Sequence, residues 1–170
     1  MEQPQVWFGP SYFTSIVGEQ VLFSIAVAHP IYSYNISTGK LDLHQVAPHL
    51  TADAKSIKPP KQVSGREENR KVDRMLKEQI NFLHPFWDEK NKVFYRFSYE
   101  EIFPEEEDAQ NLERKANVYL TRYDENFSIL SEQLMGNLPF IPRRAFTKGG
   151  NIWIPINLDD ELGFVRLILD

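Results

Sequence analysis

The 170-residue chain carries four histidines, His29, His44, His49 and His84, and no cysteine. Imidazole is the side chain that ligates zinc or moves protons near neutral pH. None of the four stands at HExxH spacing, and His44 and His49 lie five residues apart. Core or surface histidines are therefore the expectation, and no metal site. "PEEED" (104–108) and "DDE" (159–161) gather oxygen ligands. Neither has the alternating ligands and glycine of a calcium loop, so both read as solvated loops. No GxSxG nucleophile elbow is present. Asp88 and Glu132 stand near strand-like runs, but Asp88 reads as a turn residue. No nucleophile, base and orienter form a set, so the sequence predicts no catalytic residue and no cofactor.

The best claims on a ligand come from polar and aromatic groups embedded in strand-like runs. Arg96 interrupts "VFYRFSY" (93–99) on the face of Phe94 and Ser98, away from Tyr95 and Phe97. Arg143 and Arg144 sit in "FIPRRAFT" (140–147), beside Phe140. His84, Trp87 and Trp153 stand near run ends. The binding candidates are Arg96, Arg143, Arg144, His84 and Trp153. The competing expectation is structural: Arg96 and Arg143 in buried pairs with carboxylates, and Trp87 and Trp153 in the core.

"FTKGGNIWIPIN" (146–157) raises a separate possibility, because adjacent glycines can cradle a phosphate. That use requires glycines between a strand and a helix N-terminus, whose amides hold the anion. No helical period follows Gly149-Gly150, and no GK[ST] is present. A β-hairpin turn needing positive φ is the better reading.

Composition narrows the class further. The chain is 42% hydrophobic and 25% charged, with net charge -5 and pI about 5.4. No basic stripe marks a nucleic-acid partner. The lack of cysteine excludes disulfides, thiolate metal sites, cysteine nucleophiles and a lipid-attachment cysteine. "MEQPQVWFGPSYF" lacks the basic start and apolar stretch of a secretory signal, and no window is long enough to span a membrane.

The elements that must position these residues are mostly strands. "SYFTSIV" (11–17), "VLFSIAV" (21–27), "PIYSYN" (30–35) and "LDLHQV" (41–46) are short β-branched and aromatic runs bounded by turn residues. "INFLHPFW" (80–87), "VFYRFSY", "ANVYLTRY" (116–123) and "FSILSEQL" (127–134) form a second set, interrupted by an acidic insertion. "FIPRRAFT", "NIWIPIN" (151–157) and "LGFVRLILD" (162–170) form a third. Between the first two sets, Val72, Met75, Leu76 and Ile80 recur at helical spacing. Ser64 and Glu67 fit a capping box, and Glu67–Lys71 and Asp73–Lys77 fit helical ion pairs. One helix is predicted at 65–80.

"IYSYNISTGKLDL" also resembles "VYLTRYDENFSIL", with Tyr32 matching Tyr119. Four-strand units repeating at about 40–50 residues suggest propeller blades. The fold class predicted is all-β, a partial β-propeller of three antiparallel meander blades with one inserted helix. It forms a single domain over 1–170, with units 11–50, 80–135 and 139–170 and a helical insertion at 64–80. Ile152, Ile154 and Ile156 share one strand face and Trp153 and Pro155 the other, as expected of a sheet covered on both sides. In such a fold the first strand of each blade lines the channel, which would place His84, Arg143 and Arg144 before a ligand there.

"HPFWDEKNKVFYRF", "VYLTRYDENFSILSEQ" and "GGNIWIPINLDDELGFVRLILD" resemble the C-terminal half of an uncharacterised six-bladed β-propeller-like family, mostly Gram-negative cell-envelope lipoproteins. The "YDENF" turn is the most telling piece, and the first meander and "REENRKVDRM" fit more loosely. The resemblance implies a periplasmic or envelope location that the chain itself does not encode, and it carries no activity. The length departs from the pattern, since three meanders make half a six-bladed ring. The chain is then either truncated or a half-propeller with open ends, closed by "QVWFG" (5–9) as a fourth strand of the last meander or by a homodimer. The function predicted is non-catalytic binding of an unknown protein, small-molecule or carbohydrate ligand. The alternative is a carbohydrate-active hydrolase or lyase on a propeller scaffold. Carboxylates and histidine clustered at a channel mouth would favour the enzyme, and paired charges with an exposed apolar blade face the interaction module.

Overall fold

The computed structural model describes residues 9–103, 115–136 and 138–169. The architecture is all-β, with three antiparallel meanders and one helix. The first sheet is β1 (Tyr12–Val17), β2 (Gln20–Ile25), β3 (Ala28–Asn35) and β4 (Leu41–His44), in that order. Helix α1 (Arg66–Lys77) follows. The second sheet is β5 (Asn81–Asp88), β6 (Val93–Ile102), β7 (Lys115–Tyr123) and β8 (Ile129–Leu134). The third is β9 (Phe146–Lys148), β10 (Asn151–Leu158) and β11 (Glu161–Leu167). Tyr32 and Tyr119, matched in the sequence repeat, both fall on the third strand of their sheets.

The second sheet is the centre of the stack. Every residue of β6 from Val93 to Tyr99 is buried, because each strand face meets a different neighbour. On one side Phe94, Tyr123 and Phe127 pack with Leu22 and Ile31 of the first sheet. On the other Phe86, Tyr95, Phe97, Val118 and Leu120 pack with Ile152 and Ile154 of the third. This is why the apolar runs do not alternate with polar residues. The first strands lie side by side, β1 against β5 and β5 against β9.

The turns follow their chemistry. Gly149 and Gly150, with φ of 65° and 82°, form a two-residue hairpin between Lys148 and Asn151. Its carbonyls accept hydrogen bonds from Lys90 Nζ and Asn91 Nδ2, both at 3.3 Å. The pair is a turn that docks on the second sheet. Asp88, read as a turn residue, is instead the last residue of β5, paired with Val93, and its carboxylate closes the turn that follows by accepting from Lys90 N at 3.0 Å and Asn91 Nδ2 at 2.7 Å. In "YDENF", Asp124 Oδ1 accepts from Asn126 N at 2.9 Å and Ser128 N at 2.8 Å. That closed turn holds Phe127 at φ 62° and stacks its ring on Phe94 at 4.4 Å.

Three local expectations change. The helix is shorter than predicted, and Ser64 binds Glu68, not Glu67. Gly65 occupies the N-cap position, so the carboxylate reaching back to Ser64 N and Oγ comes one residue later. "FIPRRAFT" is not a strand over its length: only Phe146–Lys148 pairs, and the proline-containing stretch before it is irregular. "PEEED" and most of "QVWFG" lie outside the described residues.

Candidate functional site

Two His-Pro dipeptides create the most unusual feature of the interior. Proline has no N–H for the ladder and is confined to edges or bulges. The register shifts at Ser24/Ile25, opposite His29-Pro30, and at Phe82/Pro85, around His84. These irregularities release backbone carbonyls from pairing, and Arg96 collects them. Its Nε donates to Leu83 O at 2.7 Å, Nη1 to His29 O at 2.6 Å and Nη2 to Ile25 O at 3.3 Å. The guanidinium also lies over the Phe82 ring at 4.8 Å. Arg96 is only 1% exposed, and burial lowers its pKa to about 10. Arg96 therefore joins the first and second sheets through carbonyls and not, as the structural expectation had it, through a carboxylate. Burial, and secondarily Arg96, lowers His29 to about 4 and also lowers His84. His29 Nε2 hydrogen-bonds the Tyr123 hydroxyl at 2.8 Å, and His84 packs against Phe13 and Phe86.

A cleft of about 640 Å³ opens beside this seam. It is framed by the approach to β1, the β2–β3 turn, α1, the start of β5 and the end of β6. An outlying segment forms another wall, because Lys55 N donates to Val27 O at 2.9 Å and Ala28 bridges Ala54. The lining carries four cations, Lys55, Lys58, Lys77 and Arg143, and two carboxylates, Asp73 and Glu101, with Tyr99 and Asn81 between them.

The charges are largely engaged. Lys77 Nζ meets Asp73 Oδ2 at 2.6 Å across one helical turn. Arg143 Nη2 approaches Glu101 Oε1 at 3.7 Å, with the carboxylate enclosed and the guanidinium half exposed. The Arg143 guanidinium also lies over the Tyr99 ring at 5.7 Å. Lys55 Nζ donates to Leu76 O and, at 2.8 Å, to Asn81 Oδ1. Burial lowers the Lys55 ammonium to about 8, against the opposing pull of Glu101. Burial likewise raises the Tyr99 phenol.

The five candidate residues do not gather in one place. Arg143 lines the cleft. Arg96 is enclosed between sheets, His84 lies among aromatic rings, and Arg144 is exposed. Trp153 lies on the outer face of the third sheet, its Nε1 donating to Lys148 O at 3.2 Å and its ring edge-on to Phe164. Sequence reasoning missed Lys55, Tyr99 and Glu101. Asp73 and Lys77 were visible only as a helical ion pair. Among the described residues, no three His, Asp or Glu side chains come together as a metal site. No helix among them is long and apolar enough to cross a membrane.

The fold is similar to the crystal structure of a member of the DUF4221 family from Bacteroides vulgatus ATCC 8482, with a TM-score of 0.55 and 15% sequence identity. The match covers 87% of this chain and 40% of that one, so the chain spans less than half of that protein's length. At this identity the likeness is one of fold. No curated protein matches the chain. Residues 2–134 match the family described as Domain of unknown function (DUF4221), and with well over half of its length matched the chain belongs to that family.

Proposed function

We propose that this protein is a non-catalytic binding module on a propeller-like scaffold, taking a polar ligand with an anionic group into the cleft of Lys55, Tyr99, Glu101 and Arg143. The side-by-side first strands support a radial, blade-like arrangement of the units 11–50, 80–135 and 139–170 as one domain. The observation that carries the binding reading is the charge inventory of the cleft. Four cations face two carboxylates, and each carboxylate already has a cationic neighbour. An incoming anion would complete the pairing, and a half-exposed Arg143 is suited to fork onto it. Placement in the cell envelope, as a lipoprotein relative, rests on the family resemblance alone.

The second reading, a carbohydrate-active lyase or hydrolase, draws on Lys55. An amine lowered to about 8 holds a neutral fraction near physiological pH and can accept a proton. Oligogalacturonate, an anionic oligosaccharide, separates the two, with maltotriose as the neutral control. The binding reading expects calorimetric heat with oligogalacturonate, at least tenfold weaker in Arg143→Ala by the loss of a charge-assisted contact, and no new reducing ends. Product formation would replace it with the enzyme reading. Equal binding of both sugars, or of neither, would refute the anion-selective cleft.

A further inference from the structure

Lys55 is held more firmly than a surface lysine needs to be. It lies outside the three sheets, yet its backbone N donates to Val27 O at 2.9 Å. Ser56 N and Ile57 N, which follow it, both donate to Gln79 Oε1 at 2.9 Å. Its Nζ donates to Leu76 O, in the last turn of α1, and to Asn81 Oδ1 at 2.8 Å. The Asn81 amide is itself oriented, because its Nδ2 donates to Gln79 O at 2.7 Å and to Lys77 O at 3.2 Å. One amine is thus fixed by two oriented oxygens in the lining of the cleft.

These partners differ in kind from those of the other helix-end lysine in the cleft. Lys77 Nζ meets a carboxylate, Asp73, at 2.6 Å, and that charge holds its proton. The partners of Lys55 are a peptide carbonyl and an amide carbonyl, both uncharged. A neutral amine satisfies both with its two N–H bonds and keeps a lone pair in the remaining tetrahedral direction. Burial favours that form, lowering the ammonium to about 8. At pH 7 about a tenth of such an amine is neutral, against roughly 1 in 2,500 for a lysine at its ordinary value. The charge of Glu101 is felt at Lys55, and Glu101 Oε1 lies 3.7 Å from Nη2 of the half-exposed Arg143. One carboxylate therefore links a nucleophilic amine to an open cationic fork.

We propose that Lys55 is a covalent attachment site for an oxo acid, its amine condensing with the ligand's carbonyl while Arg143 holds the ligand's carboxylate. This rests on the anion-binding reading of the cleft, since Arg143 supplies the selectivity. The neutral nitrogen gives its lone pair to the carbonyl carbon, and the C=O pair moves onto oxygen. Counted from the ammonium, the nitrogen gives up two protons and both end on that oxygen. It leaves as water while the C=N bond forms, and the protonated imine keeps one N–H for an anchoring oxygen. Glu101 is placed to carry protons from the nitrogen to the departing oxygen. No oxidant or reductant is consumed.

Reductive trapping tests this on the 170-residue chain. Succinic semialdehyde is the probe and butanal its uncharged counterpart. Cyanoborohydride at pH 7 supplies the hydride that converts the imine into a stable secondary amine, and peptide mass spectrometry reads its position. Lys58, exposed in the same cleft, is the internal reference. Succinic semialdehyde is expected to label Lys55 roughly tenfold faster than Lys58, and butanal to label Lys55 roughly tenfold more slowly than the acid does. Arg143→Ala should lower the rate with the acid by about the same factor, with the circular dichroism unchanged. Labelling of Lys55 no faster than of Lys58 would overturn the proposal and leave Lys55 as a cap on the last turn of α1. Equal rates with butanal, or a rate unaffected by Arg143→Ala, would also overturn it, since either removes the carboxylate from recognition. Heat with oligogalacturonate but no preferred adduct at Lys55 would overturn the imine alone. Absence of both would remove the anion-binding reading with it.

Discussion

Arg96→Met is the most informative single perturbation of the fold. The substitution keeps much of the side-chain volume and removes every donor. Three carbonyls, Leu83 O, His29 O and Ile25 O, lose their partner. Each buried unpaired carbonyl costs about 1–3 kcal/mol, and the lost stacking on Phe82 adds about 1 kcal/mol. Removing a charge that was expensive to bury offsets part of this. The net expectation is a loss of about 3–5 kcal/mol, the range for breaking one side of a buried charged contact. For a chain of this size that corresponds to a melting point lower by roughly 6–20 °C. Urea and thermal unfolding followed by circular dichroism measure it directly. Arg96→Lys should fall between, because an ammonium reaches one or two of the carbonyls but cannot fork onto all three. A Met variant within about 1 kcal/mol of wild type would refute the reasoning. It would mean that the bulges, and not Arg96, hold the first sheet to the second.

Two further outcomes follow from other sites. His29 is held near 4 when folded against 6.5 when unfolded, so between these values only the unfolded chain takes up its proton. Stability should therefore fall on acidification from pH 6.5 to 4, by about 3 kcal/mol from this residue. His44 and His84 are lowered too and act in the same direction. The pH dependence of the urea midpoint should be shallower in His29→Gln, and an unchanged slope would contradict the assignment. Asp124→Ala removes the acceptor for Asn126 N and Ser128 N and should cost about 1–2 kcal/mol. An unchanged denaturation midpoint would show that burial of Phe127 alone maintains the turn.

The sequence alone determined the local architecture. Short β-branched runs between turn residues specify strands and hairpins, and neighbouring strands pair through short links, so three meanders and a helix were legible. The Gly149-Gly150 turn was legible for the same reason, since positive φ is set within a few residues, and so was the turn that Asp88 closes from the end of its strand. Tertiary structure decided everything that joins distant segments. The sequence left Arg96 between a ligand and a buried carboxylate, and it met neither. The carbonyls that it met instead depended on bulges at His29-Pro30 and His84-Pro85, in two different sheets. The proline within each strand run was the signal available, but it announces a break in a ladder without naming the donor that repairs it. Likewise Lys55, the pair Tyr99 and Glu101 on β6, and Arg143 come from three stretches of chain far apart in the sequence. They meet because the sheets stack face to face, and that stacking is fixed by burial of whole apolar faces, which no short motif records.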